Sequence, residues 1–184
     1  MTTLFSALDW RAMSQQELFA GLNNGEHVPG SVEMVAGWEQ RSGELRQRFP
    51  AHIDLRYGPR ERNRIDFLKA ADKAPTLLFI HGGYWQARAK EVFTVMAEGP
   101  MAHGINVALI GYTLAPDATL DEIVAEIHAG IDYLSGQLSA LGAATEGIVV
   151  SGWSAGGHLT STALSHPQVR AGKVTALGVT SGQP

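Results

Sequence analysis

Gly147-Ile148-Val149-Val150-Ser151-Gly152-Trp153-Ser154-Ala155-Gly156-Gly157-His158-Leu159 is the stretch on which the fold turns. Its first part is a short, continuous apolar run, the pattern of a strand buried on both faces. Gly152-Trp153-Ser154-Ala155-Gly156 then spells G-x-S-x-G, a turn that sets a serine between a strand and a helix with its hydroxyl outside the packed interior. The flanking glycines let the backbone turn without a Cβ clash. A helix N-terminus starting at Ala155 aims unpaired N–H groups at the space beside the serine. Ser154 is therefore the candidate nucleophile.

Upstream, Pro75-Thr76-Leu77-Leu78-Phe79-Ile80 is a second run of the same kind and ends in His81-Gly82-Gly83. Glycines after a buried strand leave backbone N–H groups accessible, so Gly82 or Gly83, together with Ala155, are the candidate donors to an oxyanion beside Ser154. A third run, Ile105 to Ile110, leads into Gly111-Tyr112-Thr113-Leu114-Ala115-Pro116-Asp117. Helices are expected at about Lys90 to His103, Leu120 to Leu141 and Ala155 to Ser165, and a last strand at Val174 to Val179. Strands alternating with helices make an α/β domain with a doubly wound, mostly parallel sheet and helices on both faces. Ligands in such sheets bind at the carboxyl ends of the strands, where all three motifs lie.

Before this core, Ile53, Leu55 and Tyr57 alternate with polar residues, as do Ile65 and Phe67, which predicts an antiparallel strand pair at a sheet edge. Residues 1–50 are richer in polar residues, with turn signals at Asn23-Asn24-Gly25 and Pro29-Gly30. Ser14 and Glu17 form a capping-box pattern ahead of Leu18, Phe19 and Leu22, and Met34, Val35, Trp38, Leu45 and Phe49 stripe a helix from Ser31 to Phe49. The expected organisation is a helical segment over 1–50, lying across the main domain as part of a lid, and a core over 51–184.

The chain has 184 residues, 45% of them hydrophobic, a formal charge of -4 and no cysteine. That suits one domain with a real core and excludes disulfides, thiolate nucleophiles and cysteine-type zinc sites. The charge offers nothing to nucleic acid or an anionic membrane. No signal-like leader and no bilayer-length apolar run occur, so a soluble, cytoplasmic protein is expected. No H-E-x-x-H or comparable spacing occurs, so neither metal nor cofactor is expected.

The three motifs, His81-Gly82-Gly83-Tyr84-Trp85, Gly111-Tyr112-Thr113-Leu114-Ala115-Pro116 and Gly152-Trp153-Ser154-Ala155-Gly156-Gly157-His158-Leu159, resemble in order and spacing the α/β-hydrolase esterases of the hormone-sensitive-lipase-like clan. They look most like its kynurenine formamidase (arylformamidase) branch, where Tyr84 stands in place of a third glycine. The resemblance runs from about Tyr57 to Val179. It implies an α/β-hydrolase fold and a serine hydrolase that cleaves an aryl formamide such as N-formylkynurenine through a formyl-enzyme. Tyr84, Trp85 and Trp153 would then wall the aryl group. A short-chain carboxylesterase is the alternative within the class, and a non-catalytic remnant or binding module is the alternative outside it.

Three further residues are given other roles. His158, one turn after Ser154, is expected to point inward as a structural residue, and His81 to fix its own loop by a hydrogen bond. Asp117 is expected to order its loop or to cap the helix from Leu120, by analogy with similar esterases. No Asp or Glu follows Ser154, and only His158 and His166 follow it. In hydrolases of this kind the acid and then the base come after the serine, on later strands. The expectation is that the C-terminal strands carrying them lie beyond residue 184 and that this chain alone turns over weakly.

Overall fold

The computed structural model describes residues 10–22, 27–163, 165–167, 172 and 174–180, the last group by backbone only. The Asn23-Asn24-Gly25 turn expectation and the residues after Thr180 lie outside this set. Contacts divide the chain into residues 1–37 and 38–184.

In the first unit, α1 covers Gln15–Leu22. It opens with the reciprocal cap read from the sequence: Glu17 N–H donates to Ser14 Oγ at 3.2 Å and Ser14 N–H donates to Glu17 Oε2 at 2.8 Å. Its apolar edge is not buried, and Phe19 and Leu22 are 74% and 66% exposed.

A longer helix, α2, covers Ser31–Arg48. Within the second unit its inward positions include Ser42, fully buried beside the buried Leu45. The Ser42 hydroxyl donates to the Val92 carbonyl and accepts from Val95 N–H, both at 2.8 Å. A serine could take a core position because both its capacities are met.

Six strands form one sheet: β1 Leu55–Arg56, β2 Arg64–Leu68, β3 Thr76–Ile80, β4 Asn106–Ile110, β5 Ile148–Trp153 and β6 Val174–Thr180. Their spatial order is β1-β2-β4-β3-β5-β6, with β1 antiparallel to β2 and β2 antiparallel to β4. The pairs β3/β4, β3/β5 and β5/β6 are parallel. The expected antiparallel edge and parallel centre are both present, although β1 is only two residues long.

From β3 the chain moves to β4 on one side, then crosses back to β5 on the other side of β3. That reversal makes the carboxyl end of β3 a topological switch point, the place where open α/β sheets bind ligands. A register shift between Val150 and Gly152 in the β5/β6 ladder bends the sheet next to the elbow.

Helices cover both faces. The β3-to-β4 connection contains a 3₁₀ segment, Lys90–Ala97, and a short helix α3, Glu98–Ala102, in place of the single α-helix expected from Lys90 to His103. Its Phe93 and Ala97 join Leu45, Leu68, Val107 and Leu109 in one core cluster. On the opposite face α4, Leu120–Gln137, and α5, Ala155–Ala163, pack Ile123, Ile127, Ile131, Leu159 and Ala163 over Phe67, Leu78, Ile80, Ala108 and Ile110. Alternate residues of β4 thus serve opposite cores, as the double burial of its sequence predicts.

Asp66 interrupts this apolar logic. It sits on β2, fully buried, and accepts from Lys90 Nζ at 2.8 Å while also pairing with Arg46. Lys90, 3% exposed, donates further to Asp54 and Glu91, each at 2.6 Å. Asp54, Asp66 and Glu91 are grouped closely enough for a cation, but Lys90 and Arg46 already stand among them. Burial alone would raise the Asp54 and Glu91 carboxyls, yet the hydrogen bonds and charge of Lys90, with Arg46, hold both below the usual range.

Among the described residues no helix is long and apolar enough to cross a membrane.

Candidate active site

Ser154 sits between β5 and α5 with φ of 54°. A non-glycine residue in the left-handed region costs on the order of 1 kcal/mol or more and persists only where its surroundings hold it. The neighbouring glycines supply that hold. A Cβ on Gly152 would stand 2.1 Å from the Gly156 carbonyl oxygen, and one on Gly156 would stand 2.1 Å from that of Ile80. Both glycines let α5 start flush against β5 and β3. The serine is exposed, while Ala155, Gly156 and Gly157 behind it are buried. The Ser154 carbonyl accepts from His158 N–H at 3.1 Å, so the helix begins at once, and the N–H groups of its first turn have no partner within the helix.

Gly82 lies against this elbow. A Cβ there would come within 2.7 Å of the Trp153 carbonyl oxygen and 3.2 Å of Ser154 Cβ. The loops after β3 and β5 are therefore in backbone contact, and only glycine permits it. Gly83 follows with φ of 119°, then Tyr84 at 52° and Trp85 at 59°, three successive residues at positive φ. Two of the three carry side chains, so this segment is strained where glycine would have relaxed it.

His81 anchors the start of that loop. Its ring is buried, stacked on Tyr112 at 4.3 Å, and its Nδ1 donates to the Gly82 carbonyl at 2.8 Å. This bears out the expected loop-fixing bond and assigns the proton to Nδ1. Nε2 is buried without a partner among the described residues. Burial pushes the His81 imidazole down to about 4, against a smaller opposing effect from the Gly82 bond, so the ring is neutral at physiological pH. Tyr112, itself buried, donates its hydroxyl to the His81 carbonyl at 3.1 Å.

The three aromatic candidates are not brought together. Tyr84 is 59% exposed. Trp85 is half-buried on the α4 and α5 side and meets the His158 ring edge-on at 5.3 Å. The Trp85 indole N–H is buried without a partner among the described residues. Trp153 turns to the other face, where its ring packs against Phe93 at 5.4 Å and Trp38 at 6.1 Å.

Two secondary expectations are corrected. His158 does not point inward; it is exposed beside Trp85. Asp117 does not cap the helix. The cap of α4 is Thr119, in a reciprocal pair with Glu122, and Glu126 holds the loop by accepting from Thr113 N–H at 2.7 Å and Thr113 Oγ1 at 2.8 Å. The Thr119-x-x-Glu122 spacing was a readable capping box. His166 lies past the far end of α5 and pairs with Asp132 at 3.3 Å. A helix of this length carries it on the order of 13 Å from the elbow, beyond reach of the serine.

The chain is similar to named hydrolases in sequence and in structure. The chain is 25% identical over 169 residues to kynurenine formamidase from Danio rerio, which covers 85% of this chain and 55% of that protein. It is 29% identical over 117 residues to a probable isoprenylcysteine alpha-carbonyl methylesterase from Oryza sativa, covering 62% of this chain and 28% of that one. Among solved structures, a putative thioesterase from Silicibacter superposes with a TM-score of 0.74 at 25% identity, covering 84% of this chain and 59% of that chain. The chain thus spans little more than half of the Danio rerio protein and less of the Oryza sativa one. The family model BD-FAE matches residues 67–171, from β2 through the elbow and its helix, and with an α/β-hydrolase fold related to kynurenine formamidase the chain belongs to the BD-FAE family.

Proposed function

We propose that the chain carries the nucleophile half of a serine hydrolase acting on an aryl formamide of the N-formylkynurenine type. The observation that supports this reading best is the contact of Gly82 with the elbow. It sets the loop after β3 beside a left-handed Ser154 at a helix N-terminus. In the proposed reaction Ser154 Oγ attacks the formyl carbon. The resulting oxyanion accepts from the N–H of Ala155 and of Gly82 or Gly83, and the arylamine leaves with a proton. Water then attacks the formyl ester and releases formate, restoring the serine hydroxyl.

Tyr84 and Trp85 face the aryl group in this reading, while the Trp153 ring supports the loop from beneath. The neutral His81 contributes no charge and serves to hold the backbone donors in place. The general base and its carboxylate partner are not assigned to residues of this chain in this reading. His166 is paired with Asp132 at the wrong end of α5, and no carboxylate follows Ser154.

A short-chain carboxylesterase is the second reading, favoured by the similarity to a methylesterase. Comparing kcat/KM for an N-formyl arylamine with that for an aryl acetate, in wild type and Ser154→Ala, separates the two. A ratio favouring the formamide, abolished in both arms by the substitution, is expected. A ratio favouring the ester overturns the formamidase reading, and activity that survives Ser154→Ala overturns the serine mechanism.

A further inference from the structure

The residues so far assigned to the site belong to the loops that follow β3, β4 and β5. One residue from a different part of the chain touches two of these loops at once. Arg62 lies in the connection between β1 and β2, and its Nε donates to the Tyr112 carbonyl at 2.8 Å while its Nη2 donates to the Arg88 carbonyl at 2.6 Å. A planar guanidinium can serve two acceptors with one side chain, which an ammonium cannot do with the same fixed geometry.

The two acceptors occupy informative places. Tyr112 stacks on His81 and hydrogen-bonds its carbonyl, at the first residue of the loop that reaches Ser154. Arg88, with φ of 73°, closes the same loop. Arg62 therefore joins the end of the loop to the partner of its beginning. In between lie Gly83, Tyr84 and Trp85, all at positive φ, and besides the Tyr112 contact with His81 the β4 loop ties to this segment through Ala115 N–H, which donates to the Trp85 carbonyl at 2.8 Å. A strained loop of this kind needs such ties to hold its conformation.

The backbone of Arg62 is seated with equal closeness. A Cβ on Gly111 would meet the Arg62 carbonyl oxygen at 2.8 Å, so the glycine after β4 makes room for it. The Asn63 side chain braces the same turn by accepting from Arg60 N–H at 3.1 Å and donating to Tyr57 Oη at 3.3 Å. Tyr57 Oη in turn donates to the Gly111 carbonyl at 2.6 Å. The guanidinium thus projects from a fixed base along the wall of an open cleft of about 340 Å³ that Glu61, Arg64 and Glu91 also line.

We propose that Arg62 is a positioning residue for the oxyanion-donor loop, clasping residues 81–88 in the geometry that presents the Gly82 and Gly83 amides to Ser154. This rests on the serine-hydrolase reading above. The clasp acts through backbone carbonyls and does not touch substrate, so its loss lowers turnover by letting the donors drift while leaving ground-state binding largely intact.

The test compares Arg62→Ala and Arg62→Lys by amide hydrogen exchange and by steady-state kinetics in the whole protein. Arg62→Ala is expected to speed exchange of the 82–88 amides at least about 10-fold with β4 and α4 protection unchanged. It should lower kcat about 10- to 100-fold with KM within about twofold, and millimolar guanidinium should restore part of the loss. Arg62→Lys, which can still reach one carbonyl, should fall between; it carries the same test if the alanine variant does not fold. Unchanged exchange in the loop overturns the proposal. So does a loss of protection spread through β4 and α4 that guanidinium does not repair, which would mark a structural role alone. If wild-type turnover survives Ser154→Ala, the hydrolase reading fails instead, and the exchange data still decide whether Arg62 holds the loop.

Discussion

Replacing Gly82 with alanine probes the contact on which the proposed oxyanion site depends. The new methyl would stand 2.7 Å from the Trp153 carbonyl oxygen, 2.9 Å from Trp153 Cε3 and 3.2 Å from Ser154 Cβ. An unstrained carbon-to-oxygen contact is about 3.3 Å, so the loop and the elbow must part by roughly 0.6 Å. The elbow cannot supply that movement, because Trp153 is paired in the β5/β6 ladder and Gly156 is pressed against Ile80. The loop must yield, and an amide that donated at about 2.9 Å would then stand near 3.5 Å, outside effective hydrogen-bonding range. Losing one such donor costs about 100- to 1,000-fold in kcat, and the overpacking costs about 1 to 3 kcal/mol of stability. Steady-state kinetics and urea unfolding measure both. Gly99→Ala in α3 is the control, since nothing lies within 4 Å of its added Cβ, and it should leave kcat unchanged. A folded Gly82→Ala variant with kcat within twofold of wild type would refute the reasoning.

Two further outcomes concern stability. His81 has its imidazole lowered to about 4 by burial, so the neutral ring favours the folded state fully above about pH 6.5, and that stability is lost as pH falls toward 4. The contribution is on the order of 3 kcal/mol. His128, lowered mainly by partial burial, acts in the same direction, so the readout is the difference between wild type and His81→Phe in urea titrations from pH 7.5 to 4.5. A variant as acid-sensitive as wild type over that window would contradict the account. Lys90→Met leaves the fully buried Asp66 without one of its two cationic partners and should cost about 3 to 5 kcal/mol in chemical denaturation. A loss below about 1 kcal/mol would show that Arg46 alone suffices.

The parallel centre of the sheet was legible because Leu77 to Ile80, Val107 to Ile110 and Ile148 to Val150 are continuous apolar runs with no polar alternation to misread; β4 is buried throughout, while Leu77, Phe79 and Val149 are partly covered. The elbow and the His81-Gly82-Gly83 loop were legible because their glycines answer steric demands that no other residue meets. What escaped the sequence was long-range or conformational. Asp66 alternates with Ile65 and Phe67 as a solvent-facing residue would, yet it is buried, because its partners Arg46 and Lys90 come from positions twenty or more residues away. Ser42 sits in a helical stripe as a core residue for the same reason, its partners being on the segment from Lys90. That segment carries apolar spacing that suits a 3₁₀ helix as well as an α-helix, and periodicity alone could not separate them. Tyr84 and Trp85 give no local sign of positive φ, which favours glycine, and the two carbonyls that Arg62 holds have no side-chain signature at all.

The central claim is that Ser154 is the nucleophile, and the most direct measurement is covalent trapping. The whole protein is incubated with an aryl phosphonate ester and the modified peptide mapped by mass spectrometry. The account predicts a single stoichiometric adduct on Ser154, slowed about 10-fold or more in Gly82→Ala and absent in Ser154→Ala. An enzyme that hydrolyses its substrate while Ser154 stays unlabelled, or whose label maps to another residue, would contradict it.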